Sequence, residues 1–287
     1  MTARPARVVD AHVHLWDPAR TEWYPYLGRL PAHGPGDPSR MYRRFDLETY
    51  EAETAGWNVE KLVNVAAATG RHSVDETLEL DALADARGRP DAIIGGLPPT
   101  ETVAQSVELL DRQMTAARFR GVRQMGSLDR PVPDPAVLRA LQERHLVFEL
   151  MTHPDQLRAA AGQLAGFAEL AVVVEHTGWP RSGADEERAM WRAGIEALAD
   201  LGNVSCKLSG LAMPFGSMAA PALRPWLETA IEAFGTDRCL FASNFPVDAV
   251  AGTFDELYST FSTVTAALDA ESRDKLFAGN AERIYRC

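Results

Sequence analysis

RVVDAHVH, residues 7–14, reads as a strand that ends in two histidines one residue apart, and the rest of the chain repeats its format. Seven further apolar, β-branched runs follow it: KLVNVAA (61–67), DAIIGGL (91–97), GVRQM (121–125), LVFELMT (146–152), AVVVEHT (171–177), NVSCKLSG (203–210) and CLFASNF (239–245). The segments between them carry a helical period, as in 74–87 with Val74, Leu78 and Leu83, or 102–114 with Val103, Val107 and Leu110. Strands alternating with helices are the pattern of a parallel α/β protein. Eight such units in 287 residues favour one closed, distorted TIM (β/α)8 barrel over an open doubly wound sheet, with 1–287 as a single domain. Ser73, Thr100 and Asp134 stand where helix caps are expected, and Gly202 and Gly235 follow helix ends. Pro225 is expected in a first turn or at a break.

Two segments interrupt the alternation. Residues 15–45 are rich in proline, glycine and aromatics without a clear period, and a loop of that length is usually functional or disordered. Trp16, Trp23, Tyr24 and Tyr26 in it point to an ordered lid. The second is 177–188, after the sixth strand.

Hydrophobic residues at 46% and charged residues at 24% describe an ordinary globular chain and exclude a disordered or fibrous one. The net charge of −11 excludes the basic excess that nucleic-acid binding or docking on anionic lipid requires. Cys206, Cys239 and Cys287 are odd in number and widely spaced, so they define neither a disulfide framework nor a zinc knuckle. With no apolar leader in MTARPARVVD and no run near ~18 apolar residues, the expected setting is the cytoplasm, without a membrane partner.

A barrel of this kind builds its active site at the carboxyl ends of its strands, and the chemistry-bearing residues collect there. Four of seven histidines fall at expected strand ends: His12, His14, His153 and His176, with Asn244 at the eighth. Alternation puts His12 and His14 on one face, inward if Asp10 and His12 line the barrel. Two imidazoles so placed can share a metal ion at about 2 Å each. The competing reading is a pair of buried, hydrogen-bonded histidines that fix the following loop.

The blocks VVDAHVHLWDP, GVRQ, FELMTHPDQL, VVVEHTGWP, NVSCKLSGL, LFASNFPVD and GNAERIYR, in this order over nearly the whole chain, resemble those of the amidohydrolase superfamily. More narrowly they are similar to its amidohydrolase-2, lactonase-like branch, which includes sugar-lactone and dicarboxylate-lactone hydrolases. The resemblance implies a distorted barrel that hydrolyses lactone or amide bonds with one, two or no divalent metals. It matches His12 and His14 to the first-strand pair, His153 to a fifth-strand histidine of some members, and His176 to the sixth-strand histidine. Arg123 and Gln124 stand where two-metal members have a bridging lysine, which speaks against a two-metal site. Asn244 stands where much of the superfamily has a catalytic aspartate, and a neutral carboxamide cannot serve as a general base.

Three accounts follow. One zinc ion on His12, His14 and His153 lowers the pKa of a water, with Asn244 as a weak donor or water partner and His176 as the base. Without a metal, Arg123 or Lys207 polarises a lactone carbonyl while His176 or His153 activates water. In the third the barrel is a decarboxylase, another lyase, or a ligand binder without turnover. Lys207 and Ser209 share a face of the seventh strand. Asp248 is the nearest alternative carboxylate, expected to cap the loop after strand eight. Glu149 is expected to face the interior with Arg123 as partner, and Glu175 to face the helices. Trp16, Trp23 and Tyr24, with Gln124, are candidate substrate contacts; core packing is the other reading for the aromatics. Arg40, Arg43 and Arg44 could attract an anionic substrate, against the reading of a solvated loop face. The expected protein is a lactone hydrolase with a small-molecule substrate and no nucleic-acid partner, as a monomer or homodimer.

Overall fold

The structure is a computed structural model that describes residues 4–27, 37–124 and 129–287. His33 and Met125, expected in a solvated loop and at a strand end, lie outside the described residues. Eight parallel strands follow in sequence order: β1 (Val8–Val13), β2 (Val59–Val65), β3 (Ala92–Leu97), β4 (Phe119–Gln124), β5 (Val147–Leu150), β6 (Val172–Val174), β7 (Val204–Leu208) and β8 (Cys239–Phe241). The helices are α1 (Leu47–Thr54), α2 (His72–Arg87), α3 (Val103–Gln113), α4 (Pro135–Glu143), α5 (Leu157–Leu164), α6 (Asp185–Ala199), α7 (Ala212–Phe215), α8 (Ala220–Phe234), α9 (Phe254–Val264), α10 (Ala270–Asp274) and α11 (Asn280–Tyr285). The eight-strand barrel expected from the sequence is thus observed, nearly closed. At the seam, His14 N donates to Phe245 O (2.8 Å), Asn244 N to His12 O (2.9 Å), and Ser243 N to the Asp10 carboxylate (2.8 Å).

Alternation sorts the strand side chains into two layers. Phe148, Leu150, Val172, Val174, Cys206, Leu208 and Phe241 join the layer packed under the helices. Val9, Ala11, Val63, Val65, Val147, Val173 and Leu240 form the lumen with Ala281, Ile284 and Tyr285 of the C-terminal segment. That segment closes the amino end of the barrel: the Cys287 carbonyl accepts from Lys61 near the start of β2, and Arg286 donates to His145 O, just before β5.

Helix signals hold in part. Asp134 caps α4, and Gly235 ends α8. For α3 the cap is Thr102 in a reciprocal capping box with Gln105, two residues past the expected Thr100. Ser73 lies inside α2, where its hydroxyl donates to Ala68 O. Pro225 sits inside α8, which continues through it.

Asp10 does not line the lumen. Its carboxylate points under the helices, accepting from Tyr50 OH of α1 (3.0 Å) as well as Ser243 N. The β1–β2 register slips between Asp10 and Val13, and this irregularity, rather than plain alternation, turns the His12 ring inward after Ala11.

Tyr24 is packed away from the lumen. Its hydroxyl donates to the buried Glu76 (3.1 Å), which also accepts from Ala67 N and Ala68 N and so fixes the loop after β2. Burial pushes the Glu76 carboxyl up to about 7. The folded chain therefore holds a proton here that the unfolded chain has released, and this contribution to stability is lost as pH rises from about 4 to 7. The stability of Glu76→Gln relative to the native chain is expected to rise over that window and level off above it. Unfolding in urea at pH 5, 6, 7 and 8 measures this, and a difference independent of pH contradicts it.

Candidate active site

The lumen above Tyr285 is filled by a chain of polar groups that starts at the C-terminal helix and ends at the strand mouths. Tyr285 OH donates to Glu149 Oε1 (2.6 Å), and Lys207 Nζ donates to both Glu149 oxygens (2.7 and 2.8 Å) and reaches His12 Nδ1 at 3.3 Å. Glu149 and Lys207 belong to β5 and β7, so their contact spans the inner face of β6, and both are fully buried. An ammonium only donates, so His12 accepts on Nδ1 and carries its hydrogen on Nε2. Nε2 of His12 lies 3.2 Å from Nε2 of His14, whose Nδ1 faces Val65 O at 2.8 Å. One assignment satisfies every link: His12 donates to His14, and His14 donates to Val65 O.

Arg123 at the end of β4 does not partner Glu149. Its Nη1 reaches Glu175 Oε2 (3.3 Å), its Nη2 donates to Ala66 O, and its Nε is buried with no partner among the described residues. Glu175 therefore faces the lumen, not the helices. Val173 points inward, strict alternation sends Glu175 inward too, and His176 follows it only because its backbone adopts φ 53°, ψ 39°. Thr177, Trp179 and Asn244 share that left-handed region at φ 55°, 46° and 57°. Such residues are uncommon outside glycine and gather at functional sites. They also explain why β6 and β8 are shorter than their apolar runs.

His176 Nδ1 lies 3.1 Å from Ser209 Oγ, and its ring centroid is 4.6 Å from that of His12. Donor atoms of His12, Glu175 and His176 all lie within 4.8 Å of one another. Burial, Lys207 and the neighbouring imidazoles keep His12 well below the ordinary histidine range, and burial with Arg123 does the same for His14. Burial, then Arg123 and Lys207, bring His176 down to about 3. The three rings are neutral near pH 7, and His176 is a weaker proton acceptor than an ordinary histidine.

His153 does not join this group. β5 ends at Leu150, so His153 stands at the mouth, half-buried, its ring 4.9 Å from Trp179, which in turn lies 5.7 Å from His176. Glu175 and His176 occupy the place beside His12 that the sequence reading gave to His153. Trp16 is buried and stacked on His14 at 5.5 Å. Trp23 packs between Arg20 and His72. Gln124 lines a cavity of about 760 Å³ beside the loops after β3 and β4, and Trp16, Trp23 and Tyr24 line another of about 540 Å³; neither is lined by the imidazoles. Of the basic loop residues, Arg43 is engaged by Glu53 and Arg44 by Asp46.

The sequence reading missed the inward face of Glu175, the Glu149–Lys207 pair and the role of Gly210. A Cβ on Gly210, at φ 67°, would come within 2.4 Å of the His176 ring. Gly210→Ala is therefore expected to displace that imidazole and lower kcat by about 100-fold, the scale of a misplacement of about 1 Å. A crystal structure of the variant with His176 in its native rotamer contradicts this.

The residues fit a divalent ion by one observation: the 3.2 Å between the two Nε2 atoms is close to the roughly 3.3 Å edge of a tetrahedral site with ligands near 2.0–2.1 Å. The His14 Nδ1 contact with Val65 O holds its Nε2 outward as a metal-binding histidine requires.

A barrel of eight parallel strands with histidines, a carboxylate and an arginine gathered at its carboxyl end defines an enzyme of the amidohydrolase type. The amidohydrolase family model matches residues 9–287, and the chain belongs to that family. It is 31% identical to the uncharacterized protein y4mH of Sinorhizobium fredii, over 97% of this chain and 98% of that one. It is 27% identical to an L-fucono-1,5-lactonase of Burkholderia ambifaria, over 97% and 95%. A crystal structure of an amidohydrolase from Burkholderia multivorans with bound Zn superposes with a TM-score of 0.82 at 26% identity, over 98% of this chain and 99% of that one. Among the described residues no helix is long and apolar enough to cross a membrane.

Proposed function

We propose that this chain opens a small lactone, a sugar-acid lactone being the favoured class. The observation that carries the reading is the convergence of neutral His12, His14 and His176 with Glu175 and Arg123 in one buried space at the strand carboxyl ends. The similarity to an L-fucono-1,5-lactonase supports the choice of substrate class.

Hydrolysis joins a water oxygen to the carbonyl carbon, breaks the ring C–O bond and leaves a hydroxy acid. Glu175 Oε1 and Asn244 Oδ1 are buried acceptors with no well-aligned donor among the described residues. In this reading Asn244 orients the water, and Glu175 takes its proton and returns it to the departing ring oxygen, with His176 beside it. The unspent Nε–H of Arg123 donates to the oxyanion, an interaction often worth ~3–4 kcal/mol. Lys207 acts through His12, holding its tautomer, because its donors are already engaged. No imidazolium is available to protonate an amine leaving group, so a lactone suits the site better than an amide.

His12, His14 and His176 would hold one divalent ion, zinc by its preference for imidazole, with a fourth position open and Glu175 beside it as the base. When bound, such an ion lowers the pKa of a coordinated water and polarises a carbonyl. An ion held at His12 Nε2 would displace the ring hydrogen to Nδ1, opposite the Lys207 ammonium, so it would compete with the Lys207 hydrogen bond for that imidazole.

The test is proton release from a panel of aldono-1,4- and aldono-1,5-lactones, with N-acyl amides and aromatic acids beside them and metal per chain measured on the same sample. At least one sugar lactone is expected to reach kcat/KM of about 10⁴ M⁻¹s⁻¹, the low end for ordinary enzymes. No lactone turnover, with amide cleavage or carbon dioxide release instead, overturns the reading.

A further inference from the structure

Asp248 is buried four residues beyond Asn244, and the reaction as described above does not use it. Its Oδ1 accepts from Met213 N at the start of α7 (3.1 Å) and from the Asn244 side-chain nitrogen (3.4 Å), and its own backbone N–H donates to Asn244 O (3.1 Å). Burial pushes this carboxyl up to about 7, against the amides of Ala212 and Gly210, which lie beside it and favour its charged form. Asp248 thus joins two walls of the site. One is the β8 end, whose Asn244 N–H is bonded to His12 O. The other is the loop after β7, in which Ser209 bonds His176 and Gly210 lies against its ring.

A carboxamide has two ends of similar shape and opposite hydrogen-bonding sense, so its use as an acceptor depends on something holding the NH2 end. Among the described residues, Asp248 is the group to which the Asn244 NH2 donates; the opposite atom, Oδ1, is buried without a well-aligned donor, and the side chain also lies beside His14, whose charged form it favours. The oxygen facing Asn244 is the one that also accepts from Met213 N, which keeps it an acceptor, so it takes the NH2 and rejects the flipped amide.

We infer that Asp248 is a positioning residue: by holding the Asn244 NH2 it fixes that amide with Oδ1 toward the reacting water, and through Met213 it ties this orientation to the loop that seats His176. The inference rests on the reading that Asn244 faces the water. It makes Asn244 usable at a strand end where an aspartate would need no such partner.

Asp248→Ala and Asp248→Asn, each checked for folding by circular dichroism, are assayed on the best lactone. Asp248→Ala is expected to lower kcat by about 30-fold with KM changed by less than about twofold, since orientation of the water is lost and substrate binding is not. Asp248→Asn keeps an oxygen that can accept from both Met213 and Asn244, so its kcat is expected within about threefold of wild type. Wild-type kcat in Asp248→Ala overturns the inference. So does a loss in Asp248→Asn as deep as in Asp248→Ala, which assigns the effect to charge. A readout independent of turnover is the 15N-detected side-chain NH2 of Asn244. It is expected to be protected from solvent exchange in wild type and Asp248→Asn and unprotected in Asp248→Ala; equal protection in all three contradicts the contact. A wild-type protein that opens no lactone but shows this pattern fails the functional reading while keeping the Asp248–Asn244 link.

Discussion

Lys207→Met is expected to cost about 3–5 kcal/mol of stability and to remove turnover, because it leaves the Glu149 carboxylate buried opposite a hydrocarbon. Lys207 and Glu149 are both wholly inside the barrel, and Tyr285 OH is the other group bonded to that carboxylate. Burial already pushes Glu149 up to about 7 in spite of Lys207 and with Glu175 adding to the rise. Without the ammonium the carboxyl is expected to stay protonated near neutral pH, and His12 loses the donor that fixes its tautomer. The paired variant Glu149→Met with Lys207→Met separates the two effects. Replacing a buried ion pair with packed hydrocarbon is often neutral or stabilising, so the double variant is expected to recover most of the lost stability and none of the activity. Denaturant unfolding of the three proteins, with kcat on the same samples, checks this. A double variant with wild-type turnover contradicts the assignment of Lys207 to the site.

Arg123→Lys is expected to lower kcat by about 10²–10³-fold, the cost of losing one oxyanion donor, while the protein stays folded. The guanidinium spends one nitrogen on Glu175 and one on Ala66 O, which leaves Nε–H for a ligand. A lysine keeps the charge that Glu175 needs but offers one point of donation in place of a planar fork. The expected signature is a fall in kcat and kcat/KM together, with KM little changed, as for an interaction made in the transition state. A rise in KM at constant kcat would instead make Arg123 a substrate anchor.

The barrel was legible because eight apolar runs alternate with helical periods, and because strand-end histidines collect where such barrels keep their sites. The inner wiring was harder to read. The sequence reading inferred side from strict alternation, and the two positions that matter most break it. His12 enters the lumen through a register irregularity in β1, and His176 through a left-handed turn after Val174. The inward face of Glu175 was available in principle, since Val173 and Glu175 share a parity, but a second polar residue next to His176 hid it. The partner exchange, Glu149 with Lys207 and Arg123 with Glu175, follows alternate strands, β5 with β7 and β4 with β6, whose inward side chains share a layer; reading each strand by itself does not show this. His153 was misplaced because β5 ends three residues before it, and Tyr24 because its hydroxyl meets a buried carboxylate on α2.

The most direct test is the turnover of the best lactone by His14→Ala, with folding confirmed by circular dichroism. His14 sits at the end of the Lys207–His12 chain, stacked against Trp16. The account predicts a folded protein with kcat lowered by at least about 100-fold, the scale of an acid–base or ligand group. Full activity in the folded variant would contradict it, because no reaction at this cluster survives the loss of that ring.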